Sequence, residues 1–260
     1  MGRPRSGSRG GPRRRSPGWV PNQHGAWAML VVPVVVGALR GGPAWSHLLL
    51  LVSWLAAYLA FYATGLWLRS RRRARYLPPV RAYALVTAAL GGALLVLEPG
   101  LLAWAPVYLP LLALSLWLSA RRQDRSVLSG MLTVTAAGLM AVVAQGLGTR
   151  GDDDAWWVAA VLVTYFAGTV LYVKTMIRER GSRPVYRASV GLHATATAVL
   201  AVLLAAGSGP PAGPGLVVLA VLLTLRAATV PRRWPRATPR AVGLGEILAT
   251  SVLAVLLVLG

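Results

Sequence analysis

Long apolar stretches recur along the chain, and almost every second gap between them is crowded with arginine. They occupy residues 25–39, 44–68, 82–97, 101–120, 127–147, 155–173, 188–206, 216–230 and 241–259. A water-soluble core cannot hide so many of them in 260 residues, so lipid must be the solvent for most. Most reach the roughly 17–25 residues that cross about 30 Å of hydrocarbon. The first, third and eighth are short, and on length alone each suits a span or a re-entrant piece. Composition agrees: 56% of residues are hydrophobic and 13% charged, where soluble domains carry about 25% charged.

Charge parity resolves the short segments. With every stretch spanning and the first entering from the cytoplasm, the inner face holds all of the 27 basic residues except Arg40 and Arg150. Removing any one span destroys that alternation, so the positive-inside rule supports nine helices, N-terminus in and C-terminus out. The expected fold class is therefore all-α, a polytopic membrane bundle in the bacterial cytoplasmic membrane. The outer connections suit passage across a bilayer: a Glu98-Pro99-Gly100 turn, an acidic knot at 152–154 and an uncharged Gly/Pro loop at 207–215. Trp27, Trp45, Trp67, Trp104, Trp117, Trp156 and Trp157 stand near segment ends, where an indole favours the headgroup level. Pro33, Pro106 and Pro110 fall inside spans and are expected to kink them.

Two domains follow: a basic cytoplasmic tail over residues 1–20, expected to be disordered because Arg, Gly, Ser and Pro build no core, and a transmembrane domain over 21–260. The tail and first apolar run resemble a signal peptide, but no small-x-small cleavage site follows Leu39, so that run reads as a retained helix. A net charge of +20 raises the question of nucleic acid, yet the arginines lie in short runs between spans, and anionic headgroups are the expected partners instead. The absence of cysteine excludes disulfides, thiolate nucleophiles and Cys-ligated metals. With His24, His47 and His193 as the histidines, neither a metal site nor a cofactor is expected. No P-loop, GxSxG, HExxH or GxGxxG opening a βαβ unit occurs.

Ionisable groups inside lipid are costly, and this makes them candidate functional residues. Glu246 lies about one and a half turns inside the last segment, and Arg226 about one turn inside the one before it. Joined on the inner side, these antiparallel neighbours place both charges at similar depth. They suit a polar pocket open to the cytoplasm or, alternatively, a snorkelling arginine in a structural ion pair. His193 stands near the same depth. Lys174, the chain's one lysine, and Arg178 are four apart and on a helix would share a face; they suit a phosphate or headgroup site, or an ordinary positive flank. Glu179 follows them. Before the first segment stand Asn22, Gln23 and His24; Asn22 suits a helix cap, which leaves Gln23 and His24 without a structural reason. His47 reads as a membrane-interface residue, and Asp124 as a carboxylate on a helix dipole.

Pro21-Asn22-Gln23-His24-Gly25-Ala26-Trp27-Ala28-Met29 resembles the opening of YwiC-like membrane proteins. The stretch from Gly168 to Glu179 resembles that family's second block, and Gly243-Leu244-Gly245-Glu246-Ile247 its C-terminal block. The resemblance implies a multi-pass membrane protein and assigns no reaction. The architecture is also similar to UbiA-type prenyltransferases, in which Asp-rich motifs after helices two and six hold Mg²⁺ against a pyrophosphate. Here Arg69-Ser70-Arg71-Arg72-Arg73 follows helix two, and Glu179 is the one carboxylate after helix six, whereas hard cations need oxygen ligands. Three functions follow as expectations. The first is a binder or transporter of an anionic lipid or small solute. The second is a prenyltransferase-type enzyme whose arginines replace the metal. The third is a subunit whose protein partner supplies the chemistry. For the first, His24, Lys174, His193, Arg226 and Glu246 should converge within about 12 Å, on the order of two helix diameters.

Overall fold

A computed structural model describes residues 18–21, 24–151, 153–209 and 212–260, with only the backbone described at His24 and Gly25. Gln23, Asn22 and most of the tail lie outside the described residues. Among those described, nine α-helices and no strand form the architecture. They are α1 (His24–Gly41), α2 (Trp45–Arg69), α3 (Leu77–Leu97), α4 (Ala105–Ala120), α5 (Val127–Gly146), α6 (Ala155–Val173), α7 (Arg183–Ala205), α8 (Gly213–Arg233) and α9 (Pro239–Leu259). A 3₁₀ turn precedes α3, a six-residue 3₁₀ segment (Pro99–Trp104) precedes α4, and α6 runs on into a π-helical turn over Lys174–Arg178.

Eight of these helices are long and apolar enough to cross a bilayer, and α1 contributes the shorter apolar helix Ala26–Gly41. The third and eighth are not short: each helix has 21 residues. Helix extends beyond the apolar run, before it in α3 and on both sides of it in α8. In α3, Pro78 and Pro79 occupy the first turn, where a missing N–H costs nothing. In α8 the last turn carries Pro231, Arg232 and Arg233.

The bundle is built around α5 and α6, whose spanning windows are 50% and 56% buried, against 6% for the α3 span and 11% for those of α4 and α7. Val36, Ala141, Leu162, Phe166, Leu216 and Leu253 bring α1, α5, α6, α8 and α9 into one apolar cluster. Lipid tails are as apolar as leucine, so helices associate in a membrane by close packing of small residues. Gly37 on α1 lies against Ala141 and Ala144 of α5, and a Cβ there would sit 2.9 Å from the Ala144 methyl. One turn on, Gly41 meets the Gln145 backbone.

Contacts between helix termini define two ends. At one, Arg40 pairs with Asp154 and donates to the Leu257 carbonyl. The Gln145 amide donates to the same carboxylate at 2.6 Å, and the Arg150 N–H donates to the Gly41 carbonyl at 2.9 Å. His47 also belongs here. It is buried, accepts from the Ala44 N–H at Nδ1, and so donates from Nε2 to the Ala144 carbonyl at 2.7 Å. It is a packed strut between α2 and α5, not the interface residue its position suggested. At the other end Arg69 pairs with Asp124 at 2.5 Å and Arg180 reaches the Ala237 carbonyl at 3.0 Å. There too, Tyr83 donates to the Trp19 carbonyl at 2.6 Å. Trp19 and Gly18, expected in the tail, thus pack on α3: the Trp19 and Tyr83 rings meet edge to face, and Gly18 abuts Pro79.

Two outcomes are expected. Gly37→Ala should lower the thermal midpoint in detergent, costing about 1–3 kcal/mol by overpacking. Gly91→Ala, where a Cβ meets nothing within 4 Å, should leave it unchanged or slightly raised; equal losses at both would refute backbone-close packing of α1 on α5. The second concerns Asp154. Burial pushes its carboxyl up, but the hydrogen bonds from Gln145 and Arg40 and the Arg40 charge outweigh that and hold it below the usual carboxylate range. A carboxylate held low stabilises the fold above its unfolded pKa, and loses that contribution as pH falls through its folded one. Wild-type stability should therefore drop on acidification more steeply than that of Asp154→Asn, the two converging at low pH; parallel curves would count against the latch.

Candidate functional site

One face of α6 assembles the polar interior. Tyr165, Gly168, Thr169 and Tyr172 are spaced three or four apart and so lie along one stripe of the helix. Each touches a different polar group. The Tyr165 hydroxyl hydrogen-bonds with Thr250 Oγ1 on α9 at 2.8 Å. Thr169 Oγ1 donates to Glu246 Oε2 at 2.9 Å. The Tyr172 ring lies under Arg226, its centre 4.2 Å from the guanidinium carbon. Gly168 faces His193 of α7, whose Nε2 would be 2.8 Å from a Cβ at that position. A Cβ at 168 would displace the imidazole.

Arg226 and Glu246 are joined across α8 and α9 by a 2.7 Å Nη1–Oε1 contact, with 19% and 13% of their side chains exposed. The angle at that contact falls outside hydrogen-bond geometry, and Oε1 has no hydrogen-bond partner. More telling is the other edge of the guanidinium. Nε and Nη2 are both buried and without a partner among the described residues. These two nitrogens share one side of the planar group, the side that presents two parallel N–H bonds to a two-oxygen anion. His193 is also buried; its Nδ1 bonds the Ser189 carbonyl at 2.7 Å. With that nitrogen donating, Nε2 is left as an acceptor.

Of the sequence-predicted residues, Arg226, Glu246 and His193 thus gather on the α6 stripe. Lys174 stands two residues beyond Tyr172, about 200° around the helix, and so on the opposite side. It is buried and its ammonium meets Glu179 Oε1 at 3.0 Å. The π-turn produces that pair, because the Glu179 N–H bonds the Lys174 carbonyl at 2.8 Å, five residues back. Arg178, by contrast, is exposed. The side chain of His24 lies outside what is described, as does Gln23. Tyr165, Thr169, Tyr172 and Thr250 were not singled out from sequence, although the i, i+4, i+7 spacing of the first three was legible. No group of three or more His, Cys, Asp or Glu side chains gathers among the described residues.

A bundle of apolar helices that encloses the Arg226–Glu246 pair and an unpartnered guanidinium edge defines a multi-pass membrane protein with a buried polar site. The family model described as YwiC-like protein matches residues 20–145, which cover α1 to α5 and stop before the polar stripe. The chain is 32% identical over 176 residues to the uncharacterized protein YwiC of Bacillus subtilis (strain 168), covering 67% of this chain and 73% of that one. It is 26% identical over 244 residues to an uncharacterized protein of Haemophilus influenzae, covering 92% and 96%. The chain belongs to the YwiC-like family. No solved structure matches it.

Proposed function

We propose that the chain is a binding protein of the cytoplasmic membrane that takes a small anion, or the anionic head of a lipid, on the free edge of Arg226. The unpartnered Nε and Nη2 carry this reading. Buried donors with no acceptor cost about 1–3 kcal/mol each, more when charged. A carboxylate or phosphate oxygen pair relieves that cost in one step, and Tyr172 already fixes the plane of the fork. Glu246 acts as an internal competitor, because it neutralises the same guanidinium from the Nη1 side. Access is from the cytoplasm. Among the described residues every basic side chain except Arg40 and Arg150 lies in the half of the bundle away from the Arg40–Asp154 latch, which the positive-inside rule places inside.

Two measurements test this. Protein in neutral detergent should be thermally stabilised by one or more of acetate, succinate and phosphate, or should retain an anionic lipid detectable by native mass spectrometry. Arg226→Lys, which keeps the charge and loses the fork, should weaken that effect about tenfold or more, and Glu246→Gln should strengthen it. An Arg226→Lys protein that responds as wild type does would end the proposal. For orientation, an alkaline phosphatase fused after Gly260 should be active and a cytosolic fluorescent reporter there dark; the reverse pattern would place the Arg226 site on the other side.

A further inference from the structure

A second site lies nearer the helix ends. A cavity of about 380 Å³ opens between the loop after the π-turn, the first turn of α7 and the last turn of α8. Arg180, Arg183, Arg187 and Arg232 line it, and no carboxylate does. The local acid, Glu179, is already neutralised by Lys174. Arg180 is likewise committed: its Nε donates to the Met176 carbonyl at 2.5 Å and its Nη2 to the Ala237 carbonyl at 3.0 Å. Arg183, Arg187 and Arg232 have no ion-pair partner among the described residues.

The cavity is built rather than merely flanked by charge. Arg232 lies over the Tyr186 ring, 4.7 Å from its centre. The Tyr186 hydroxyl is in turn tied to the Ala228 carbonyl at 2.9 Å, which holds α7 against α8. Gly181, at φ +80°, makes the turn that brings α7 back over the cavity. Ser182 then begins α7 without a side-chain cap, leaving the positive end of the helix to face whatever fills the space. Three guanidiniums without a carboxylate partner, set around a helix start, suit the oxygens of a phosphate group.

We propose that this cavity is a phosphate-binding site, distinct from the Arg226 site and independent of it. Its ligand is a phosphate group, supplied either by free phosphate and its esters or by a phospholipid headgroup at the inner leaflet. An arginine cluster on the α2–α3 connection provides the control. Arg71, Arg72 and Arg73 are exposed in the same way and do not line this cavity.

The test compares wild type, Arg183→Gln/Arg187→Gln/Arg232→Gln, and the charge-matched control Arg71→Gln/Arg72→Gln/Arg73→Gln. One arm titrates inorganic phosphate against sodium chloride of equal ionic strength in neutral detergent and reads the thermal shift. The other reads, by native mass spectrometry, phosphatidylglycerol retained from nanodiscs of mixed phosphatidylglycerol and phosphatidylcholine. Wild type and control should respond in at least one arm, and the cavity variant should need about tenfold more phosphate or lose the retained lipid. A response only in the first arm assigns a free phosphate, and one only in the second a headgroup. Absence of response in both arms, or equal loss in cavity variant and control, overturns the proposal. The single substitution Arg232→Gln stands in if the triple variant does not fold. Arg226→Lys should keep the cavity response, so failure of either site is seen separately.

Discussion

The close approach of α1, α5 and α6 is the constraint on which the rest of the bundle depends. Within a bilayer, burying leucine against leucine gains little over burying it in lipid, so helices need surfaces on which backbones can touch. Gly37 and Gly41 of α1 provide one against Ala141, Ala144 and Gln145. Gly138 of α5 provides another against Val163, and Gly130 a third against Val170. These contacts leave α5 and α6 buried on most sides, while α3, α4 and α7 present most of their surface outward. The His47 and Arg40 bonds extend the same core to α2 and α9.

Because α6 is held so firmly, its remaining face can carry polar groups at fixed positions. Thr169 holds one Glu246 oxygen, Tyr172 backs the Arg226 plane, and Gly168 makes room for His193. A pair such as Arg226 and Glu246 adds little net stability once desolvation is counted, so packing alone does not explain its presence. The unpaired guanidinium edge makes the same point more sharply, since a helix position needing only volume is filled without cost by leucine. Function is the more economical reason for a charge there.

How far the site was legible follows from where its information lies. Arg226 and Glu246 could be matched in advance because a short connection between antiparallel helices sets their depths, and charge in an apolar run stands out. The parity of the arginines likewise gave the number of helices. The lengths of α3 and α8 were underestimated because arginine and proline end an apolar window without ending a helix. The pairing of Lys174 with Glu179 was not legible because it depends on a π-turn, and nothing in Lys-Thr-Met-Ile-Arg announces one. The hydroxyls of Thr169 and Thr250 were passed over because such groups are usually content with the carbonyl four residues back; Thr250 does use it, yet also meets Tyr165. The arginine-lined cavity escaped altogether, since it is made by the ends of separate elements that only folding brings together.

The two ends of the bundle differ in a way that bears on how the polar interior is reached. At one end the Arg40–Asp154–Gln145 cluster and the Arg40 bond to Leu257 tie α1, α5, α6 and α9 together at their tips. At the other, α6 ends in a widened turn, α7 starts without a side-chain cap, and a cavity opens between the first turn of α7 and the last turn of α8. Along α6, α7 and α8 alike, the cavity residues Thr175, Tyr186 and Pro231 precede Thr169, His193 and Arg226 on the way in from that end. Between them lie Tyr172 of α6, Ala227 of α8 and Val242 of α9, which form an apolar cluster with Met176 of the cavity wall. For the proposed Arg226 site, this layer is the barrier on the side away from the latch. A route through the whole membrane would further require the opposite Arg40–Asp154 latch to break. The arrangement therefore favours a site filled and emptied from one side, which is the behaviour of a binding protein more than of a carrier.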